Sequence, residues 1–240
     1  MKFGIIKERK SPPDRRVVFS PDELARLKQL HQGVSVKVES SDIRVFTDAQ
    51  YKNMGIEVTN DISDCDVFFG VKEVPVDNLI PNKTYFFFSH TIKKQPHNRK
   101  LLQALLEKNI EFYDHETIVD AHNRRLIGFG KYAGIVGAYN SIRAFGIKFE
   151  LFKLPKAETL SGKGDMIAHL KRLVLPPLKF VVTGTGKVGN GVKEVLDAIK
   201  IKEVSVENYL TKNYTQQLGV RCGCKPNNEP RVERNRSTCR

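Results

Sequence analysis

No apolar run in this sequence approaches the ~20 residues that span a bilayer. The opening MKFGIIKERK also places a charge where a signal peptide would continue its apolar stretch. Neither membrane insertion nor secretion is therefore expected. Cysteine is scarce: Cys65 stands alone and Cys222, Cys224 and Cys239 fall near the C-terminal end, which is no disulfide framework for 240 residues. A reducing, cytoplasmic setting is the simpler expectation. The three late cysteines read as C-x-C plus one distant residue without a convincing fourth ligand, so no metal site is assigned. Acidic residues are few, 27 Asp plus Glu against 40 Lys plus Arg, for a net charge of +13. Such an excess suits nucleic acid, an anionic membrane or an anionic small molecule. The basic residues are scattered, and the densest run, Arg221 to Arg240, has little apolar content. No basic patch interleaved with aromatics is present, so no specific nucleic-acid partner is expected and an anionic small-molecule substrate is preferred.

What remains is the composition of a globular protein: 40% hydrophobic, 28% charged, mean hydropathy -0.37. The first half alternates short apolar strands with amphipathic helices, the pattern of an α/β domain on a mainly parallel sheet. KFGIIK opens as a strand. Ser20, Pro21 and Glu23 form a capping box with proline at the first helical position, and Leu24, Leu27 and Leu30 line one face of the helix that follows. VSVKVE, DVFFGV, TYFFFS and IEFYD supply further strands. Helices are expected around Asp48 to Asn53 and through Leu101, Leu102, Leu105 and Leu106. RLIGF is read as another strand, and Gly130 to Phe149 as a helix whose small residues permit close packing.

The pattern weakens between Glu150 and Pro177, where the connection to a second unit is expected. LKFVVTG, a glycine-rich loop, the helix VKEVLDAIK and the strand EVSVEN then make one βαβ unit. The expected organisation is 1–149 as a Rossmann-like parallel-sheet domain and 150–215 as linker plus an incomplete dinucleotide-binding Rossmann domain. Residues 216–240 are expected to form an atypical, disordered tail.

Gly184, Thr185, Gly186, Lys187, Val188 and Gly189 have the G-x-G-x-x-G spacing between a strand and a helix. In that setting Gly184 makes the tight turn, Gly186 lets a pyrophosphate approach the backbone, and Gly189 lets helix pack on strand, with the phosphates at the helix N-terminus. Glu207, expected at the end of the next strand, is placed to accept hydrogen bonds from a ribose diol. A purely structural strand-to-helix turn is the competing reading. The carboxylate leans towards NAD, while the nearby Lys202 and Lys212 keep NADP open.

In an open parallel sheet, ligands bind beyond the carboxyl ends of the strands. Lys72 follows DVFFGV, His90 follows TYFFFS and Glu116 follows IEFYD. An amine, an imidazole and a carboxylate on one rim would make an acid-base set. His97, His115 and His122 are read as surface residues. Lys7, Glu8, Arg9, Lys10, Arg15 and Arg16 follow the first strand. Bland surface charge accounts for most of them, and Arg16 is the one singled out to hold an anionic substrate through its bidentate fork.

These segments resemble the alanine dehydrogenase and transhydrogenase superfamily, and within it the lysine-forming saccharopine dehydrogenase or lysine-ketoglutarate reductase branch. The resemblance rests on Lys7-Glu8 through Arg16-Val17-Val18-Phe19-Ser20-Pro21, on Gly70-Val71-Lys72-Glu73-Val74-Pro75, on FFFSHTIKKQ from Phe86 to Gln95, and on GFGKYAGIVGA from Gly128 to Ala138. It implies Lys72 and His90 as acid-base catalysts, Arg16 as a contact for substrate carboxylate, and Glu116 as a supporting acidic residue. The implied chemistry joins the ε-amine of lysine and 2-oxoglutarate as an imine that NADH or NADPH reduces to saccharopine, or the reverse. The substrates would be an amino acid and a 2-oxo acid. Family members continue through further strands of the nucleotide domain, whereas here the apolar pattern breaks after Tyr214. Two alternatives follow: an alanine dehydrogenase-like enzyme, or an inactive truncated chain with residual nucleotide binding.

Overall fold

A computed structural model describes residues 1–215 and 217–222. The chain divides into two compact units, Met1–Gly128 and Phe129–Arg240. In the first, β1 (Lys2–Ile5), β2 (Ser35–Glu39), β3 (Glu57–Thr59), β4 (Val67–Lys72), β5 (Thr84–Phe88) and β6 (Glu111–Asp114) form one sheet in the order β3-β2-β1-β4-β5-β6. Every pairing is parallel. The reversal of strand order beside β1 makes the crevice beyond the strand ends the natural ligand site.

Local chemistry sets the helices. Helix α1 (Pro21–Leu30) starts at Ser20, whose side chain accepts from Glu23 N while Glu23 reaches back to Ser20 N, and Pro21 occupies the first turn. Helix α2 (Asp48–Asn53) repeats the device with Thr47 and Gln50. In α3 (Arg99–Glu107), Leu101 and Leu105 are buried, whereas Leu102 and Leu106 face outward.

The two faces of the sheet differ. Phe68, Tyr85 and Phe87 are fully buried in one core cluster with Leu101 and Leu105 of α3. The alternate residues carry a second aromatic row, in which Phe69 stacks on Phe86 at 4.7 Å and Phe86 on Tyr113 at 4.6 Å. Part of that row is left open as the wall of a cleft.

The second unit contains α4 (Gly130–Lys148), α5 (Lys163–Lys171), β7 (Lys179–Thr183), α6 (Lys187–Ala198), β8 (Lys202–Glu203), α7 (Val206–Thr211) and β9 (Leu218–Cys222). Its sheet is parallel, in the order β7-β9-β8. Helices α4 and α6 cross at glycines: a Cβ at Gly134 would lie 2.0 Å from the Val188 carbonyl, and one at Gly191 2.0 Å from that of Lys131.

Several sequence expectations are corrected. The unit boundary falls after Gly128, because α4 packs its Ile135, Tyr139 and Ile142 into a core with Val195 of α6. The stretch expected as a connection holds α5, with Met166 and Leu170 buried in that same core. RLIGF forms no strand; Arg125 makes one isolated bridge with Val119. Of EVSVEN only Glu203 is strand, as the end of β8 (Lys202–Glu203), because Ser205 caps the helix α7 that follows. The tail is ordered at its start. Leu218 and Val220 are buried in β9, an alternation too short to stand out in the sequence. The tail beyond Cys222, with Cys224 and Cys239, lies outside the described residues. Among the described residues no helix is long and apolar enough to cross a membrane.

Candidate active site

Beyond the ends of β1, β4, β5 and β6 the first unit holds a cleft of about 700 Å³, walled by Phe69, Phe86, Phe88, Val18 and Ile118 and carrying Arg16 and His115. Arg16 Nε lies 2.9 Å from Asp14 Oδ1, and its fork also reaches Oδ2. The bond to Asp14 holds the guanidinium above its ordinary value, and the same bond holds Asp14 below the usual carboxylate range. The Lys72 ammonium is near enough to add to the lowering of Asp14. The Nε–Nη2 edge is thus held by Asp14, and Arg16 brings a cation to a mostly apolar wall, which suits a ligand with one carboxylate and an apolar or methylene body.

Lys72 reaches this face through an irregularity. Phe69 lies opposite Phe86, yet Lys72 lies opposite Phe88, with the register shifting in between. One extra residue in β4 reverses the alternation. Lys72 thereby shares the face of Phe69, Phe86 and Phe88 instead of the α3 face.

His90 follows β5 with a left-handed backbone, φ 58°. Its ring stacks beside Phe88 at 6.3 Å, and its Nδ1 lies 2.9 Å from Glu116 Oε2. Glu116 Oε1 also faces Lys93 at 3.3 Å and Arg125 at 3.5 Å. Burial pushes the Glu116 carboxyl up, but hydrogen bonds from His90 and Lys93 and their charges outweigh it and leave it below the usual range. An ionised carboxylate at that distance selects the tautomer with the proton on Nδ1, so Nε2 carries the lone pair. Lys93 Nζ also stands 3.2 Å from Nδ1 and competes for it when Nδ1 is unprotonated.

In the second unit the glycine loop runs from β7 into α6. Gly184 has φ +91°, a turn that favours glycine. A Cβ on Gly189 would meet the Gly184 carbonyl at 2.2 Å, whereas one on Gly186 would meet nothing within 4 Å. Gly186 begins α6 without a side-chain cap. Thr185 lies in the turn, and Lys187 and Val188 open the helix. This arrangement fits a pyrophosphate at the helix N-terminus. The ribose side does not fit as expected. Glu207 lies exposed in the first turn of α7, not at a strand end, and the acid that ends β8 is Glu203, 2.8 Å from Lys193. Strand β9 also stands between β7 and β8.

Residues 4–136 match the family model described as alanine dehydrogenase/PNT, N-terminal domain. The chain belongs to that family. An alpha-aminoadipic semialdehyde synthase of Arabidopsis thaliana is 32% identical over 216 residues, covering 80% of this chain and 20% of the relative. A mitochondrial protein of the same name from Bos taurus is 30% identical over 227 residues, 84% of this chain and 24% of that one. A saccharopine dehydrogenase [NAD(+), L-lysine-forming] of Yarrowia lipolytica is 24% identical, covering 84% of this chain and 58% of its own length. The chain thus spans between a fifth and three fifths of these relatives. Among solved structures, an L-alanine dehydrogenase aligns over 93% of this chain and 61% of its own, with TM-score 0.59 and 20% identity. A transhydrogenase from Sinorhizobium meliloti covers 84% of this chain and 58% of its own with TM-score 0.57 and 17% identity. These likenesses establish the α/β fold.

Within this alanine dehydrogenase/PNT domain, the sequence-predicted residues come together unequally. His90 and Glu116 are directly bonded, Arg16 lines the cleft, and Lys72, next to the cleft residue Val71, lies opposite Phe88 at the end of the neighbouring strand. Glu207 is set apart from the glycine loop's strand ends. Sequence reasoning missed two residues. His115, expected on the surface, is 5% exposed and lines the cleft, because it continues β6 by one residue where its ring packs edge-on against Phe88 at 5.2 Å. Glu8, taken with the surface charges, is 8% exposed. The one available signal is that each closely follows an apolar strand, β1 for Glu8 and β6 for His115.

Proposed function

We propose that this chain is an NAD(P)-dependent oxidoreductase domain of the saccharopine dehydrogenase type, acting on the C–N bond between an amino acid and a 2-oxo acid. The observation that carries this reading is the His90–Glu116 pair at 2.9 Å beside a cleft that holds Arg16. Arg16 binds a substrate carboxylate, and the apolar wall accepts the methylene chain of lysine. His90 Nε2 takes a proton from the attacking amine and gives it to the carbinolamine hydroxyl as water leaves, while Glu116 keeps Nδ1 protonated. Lys72 serves as the second acid-base group. The glycine loop Gly184 to Gly189 would hold a nicotinamide cofactor, which would supply the hydride for reduction of the imine.

The test is a turnover panel following oxidation of NADH and NADPH with lysine plus 2-oxoglutarate and with ammonia plus pyruvate. The first pair should be consumed and the second should not. Preference for ammonia and pyruvate would replace this reading with an alanine dehydrogenase-like one. A second reading, nucleotide binding without turnover, is favoured by the position of β9 between β7 and β8 and by the displaced Glu207. Calorimetric titration with NADH, NADPH and ADP-ribose separates it: equal affinity for ADP-ribose and whole cofactor, with no turnover, supports the second reading.

A further inference from the structure

Strand β1 ends at Ile5, and its last ladder bond to β4 runs from Ile6 N to the Phe69 carbonyl at 3.0 Å. Past that point the N–H groups of Val71 and Lys72 have no strand beside them on the β1 side, and unpaired backbone donors at a sheet end are costly. Both are taken by one side chain. Glu8 Oε1 accepts from Val71 N at 2.7 Å, and Oε2 accepts from Lys72 N at 2.9 Å. From the other side, His115 Nε2 donates to the Gly70 carbonyl at 3.2 Å.

Three consecutive residues, Gly70, Val71 and Lys72, are therefore held by side chains from two other segments at the place where the β4 register shifts. The carboxylate is itself anchored. Its neighbour Lys7 donates its N–H to Glu39 Oε2 at 3.0 Å, and Arg9 pairs with Glu39 Oε1. Gly70 has no spare room either, since a Cβ there would lie 2.7 Å from Ile6 Cδ1.

We propose that Glu8 and His115 are positioning residues for Lys72: they hold the bulge that turns the lysine onto the cleft face. The inference rests on the reading of Lys72 as an acid-base group for its consequence in catalysis, but not for its structural content. Without the clamp the last residues of β4 would revert to simple alternation, and Lys72 would follow Phe68 to the opposite face. Burial supports the assignment of donors and acceptors. It pushes the His115 imidazole down and so keeps it neutral, with one N–H to give to Gly70. Glu8 is pushed up by burial and drawn back by its two backbone bonds.

The test compares Glu8→Gln, His115→Leu and His115→Gln in the whole chain. Gln at position 8 offers one acceptor oxygen and sets an NH₂ against a backbone N–H. Gln at position 115 can still donate to Gly70, and Leu cannot. Reductive methylation with ¹³C formaldehyde, assigned with Lys72→Arg, gives an NMR signal that reports the surroundings of Lys72 directly. The expected result is a displaced Lys72 signal in Glu8→Gln and His115→Leu, and a native one in His115→Gln. With turnover, kcat should fall about 10- to 100-fold in the first two with KM little changed, the size of effect a misplaced catalytic group produces. A native Lys72 signal in folded Glu8→Gln overturns the proposal. If that variant fails to fold, the His115 pair decides in the same way. If the native chain shows no turnover at all, the proposed function fails, and the NMR signal alone judges the clamp.

Discussion

Ser89 Oγ donates to Asp114 Oδ2 in the interior, tying the end of β5 to the end of β6 one residue before His90 and two before Glu116. Asp114 Oδ1 also accepts from Glu116 N at 2.8 Å. One buried carboxylate thus sets the spacing of the His90–Glu116 pair. Ser89→Ala leaves Asp114 short of a donor in a buried position, which costs about 1–3 kcal/mol. Urea unfolding should show that loss as a lower midpoint at unchanged slope. An unchanged midpoint would mean that the two strand ends are held by other contacts.

Glu116→Ala should release the tautomer of His90. With the carboxylate gone, Lys93 Nζ at 3.2 Å is left as the neighbour of Nδ1 and favours the form that accepts there. Imidazole ¹⁵N shifts should show the proton moving from Nδ1 towards Nε2. In a turnover assay the loss should be about 10²- to 10⁴-fold, the contribution of a correctly protonated acid-base group. Retention of the Nδ1–H form in the variant would show that Glu116 does not set the tautomer.

The strand-end rule points to this rim because it needs only apolar runs and the polar residues that close them. Lys72, His90 and Glu116 were legible for that reason, and Arg16 from the run of cations after the first strand. Three things were not. The bulge in β4 is a one-residue change in pairing, and the sequence VFFGVK reads the same with or without it. Glu8 and His115 are polar residues whose burial depends on strands far away in sequence. In the second unit, β8 is two residues long and β9 has an apolar alternation of only Leu218 and Val220, below the length at which period 2 can be told from chance. Ser205 caps α7, but the valines on either side of it read as strand.

Acid should destabilise the first unit partly through His115. Burial holds its imidazole below the ordinary value, against the pull of the Gly70 carbonyl and the Asp114 charge. In the unfolded chain it titrates near ~6.5. As pH falls through that value, the unfolded state gains a proton that the folded state resists. The stability contributed by His115 is therefore full above about 6.5 and is lost as pH falls towards its folded pKa. Glu8, held above its usual value, works with the opposite sign at lower pH. Thermal unfolding from pH 7.5 to 5.5 should give a flatter profile in His115→Gln than in the native chain. Parallel profiles would show that His115 takes a proton equally well in both states.

The packing and phosphate roles of the glycine loop separate cleanly by substitution. A Cβ on Gly189 would lie 2.2 Å from the Gly184 carbonyl, and neither backbone segment can yield without parting α6 from β7. Gly189→Ala should thus cost at least about 1–3 kcal/mol, as overpacking against fixed atoms does. Gly186 differs: its Cβ would point into open space, and its backbone, φ -76°, suits any residue. Gly186→Ala should leave stability within about 0.5 kcal/mol. Its methyl would stand instead where a pyrophosphate approaches the uncapped start of α6, and losing one charge-assisted hydrogen bond there costs about 1.5–3 kcal/mol, or roughly tenfold or more in affinity. Calorimetry with ADP-ribose, alongside the melting curve of each variant, reads both numbers. Weakened binding with an unchanged melting curve in Gly186→Ala assigns the loop to phosphate. Unchanged binding in that variant would make G-x-G-x-x-G here a turn that serves only to pack α6 on β7.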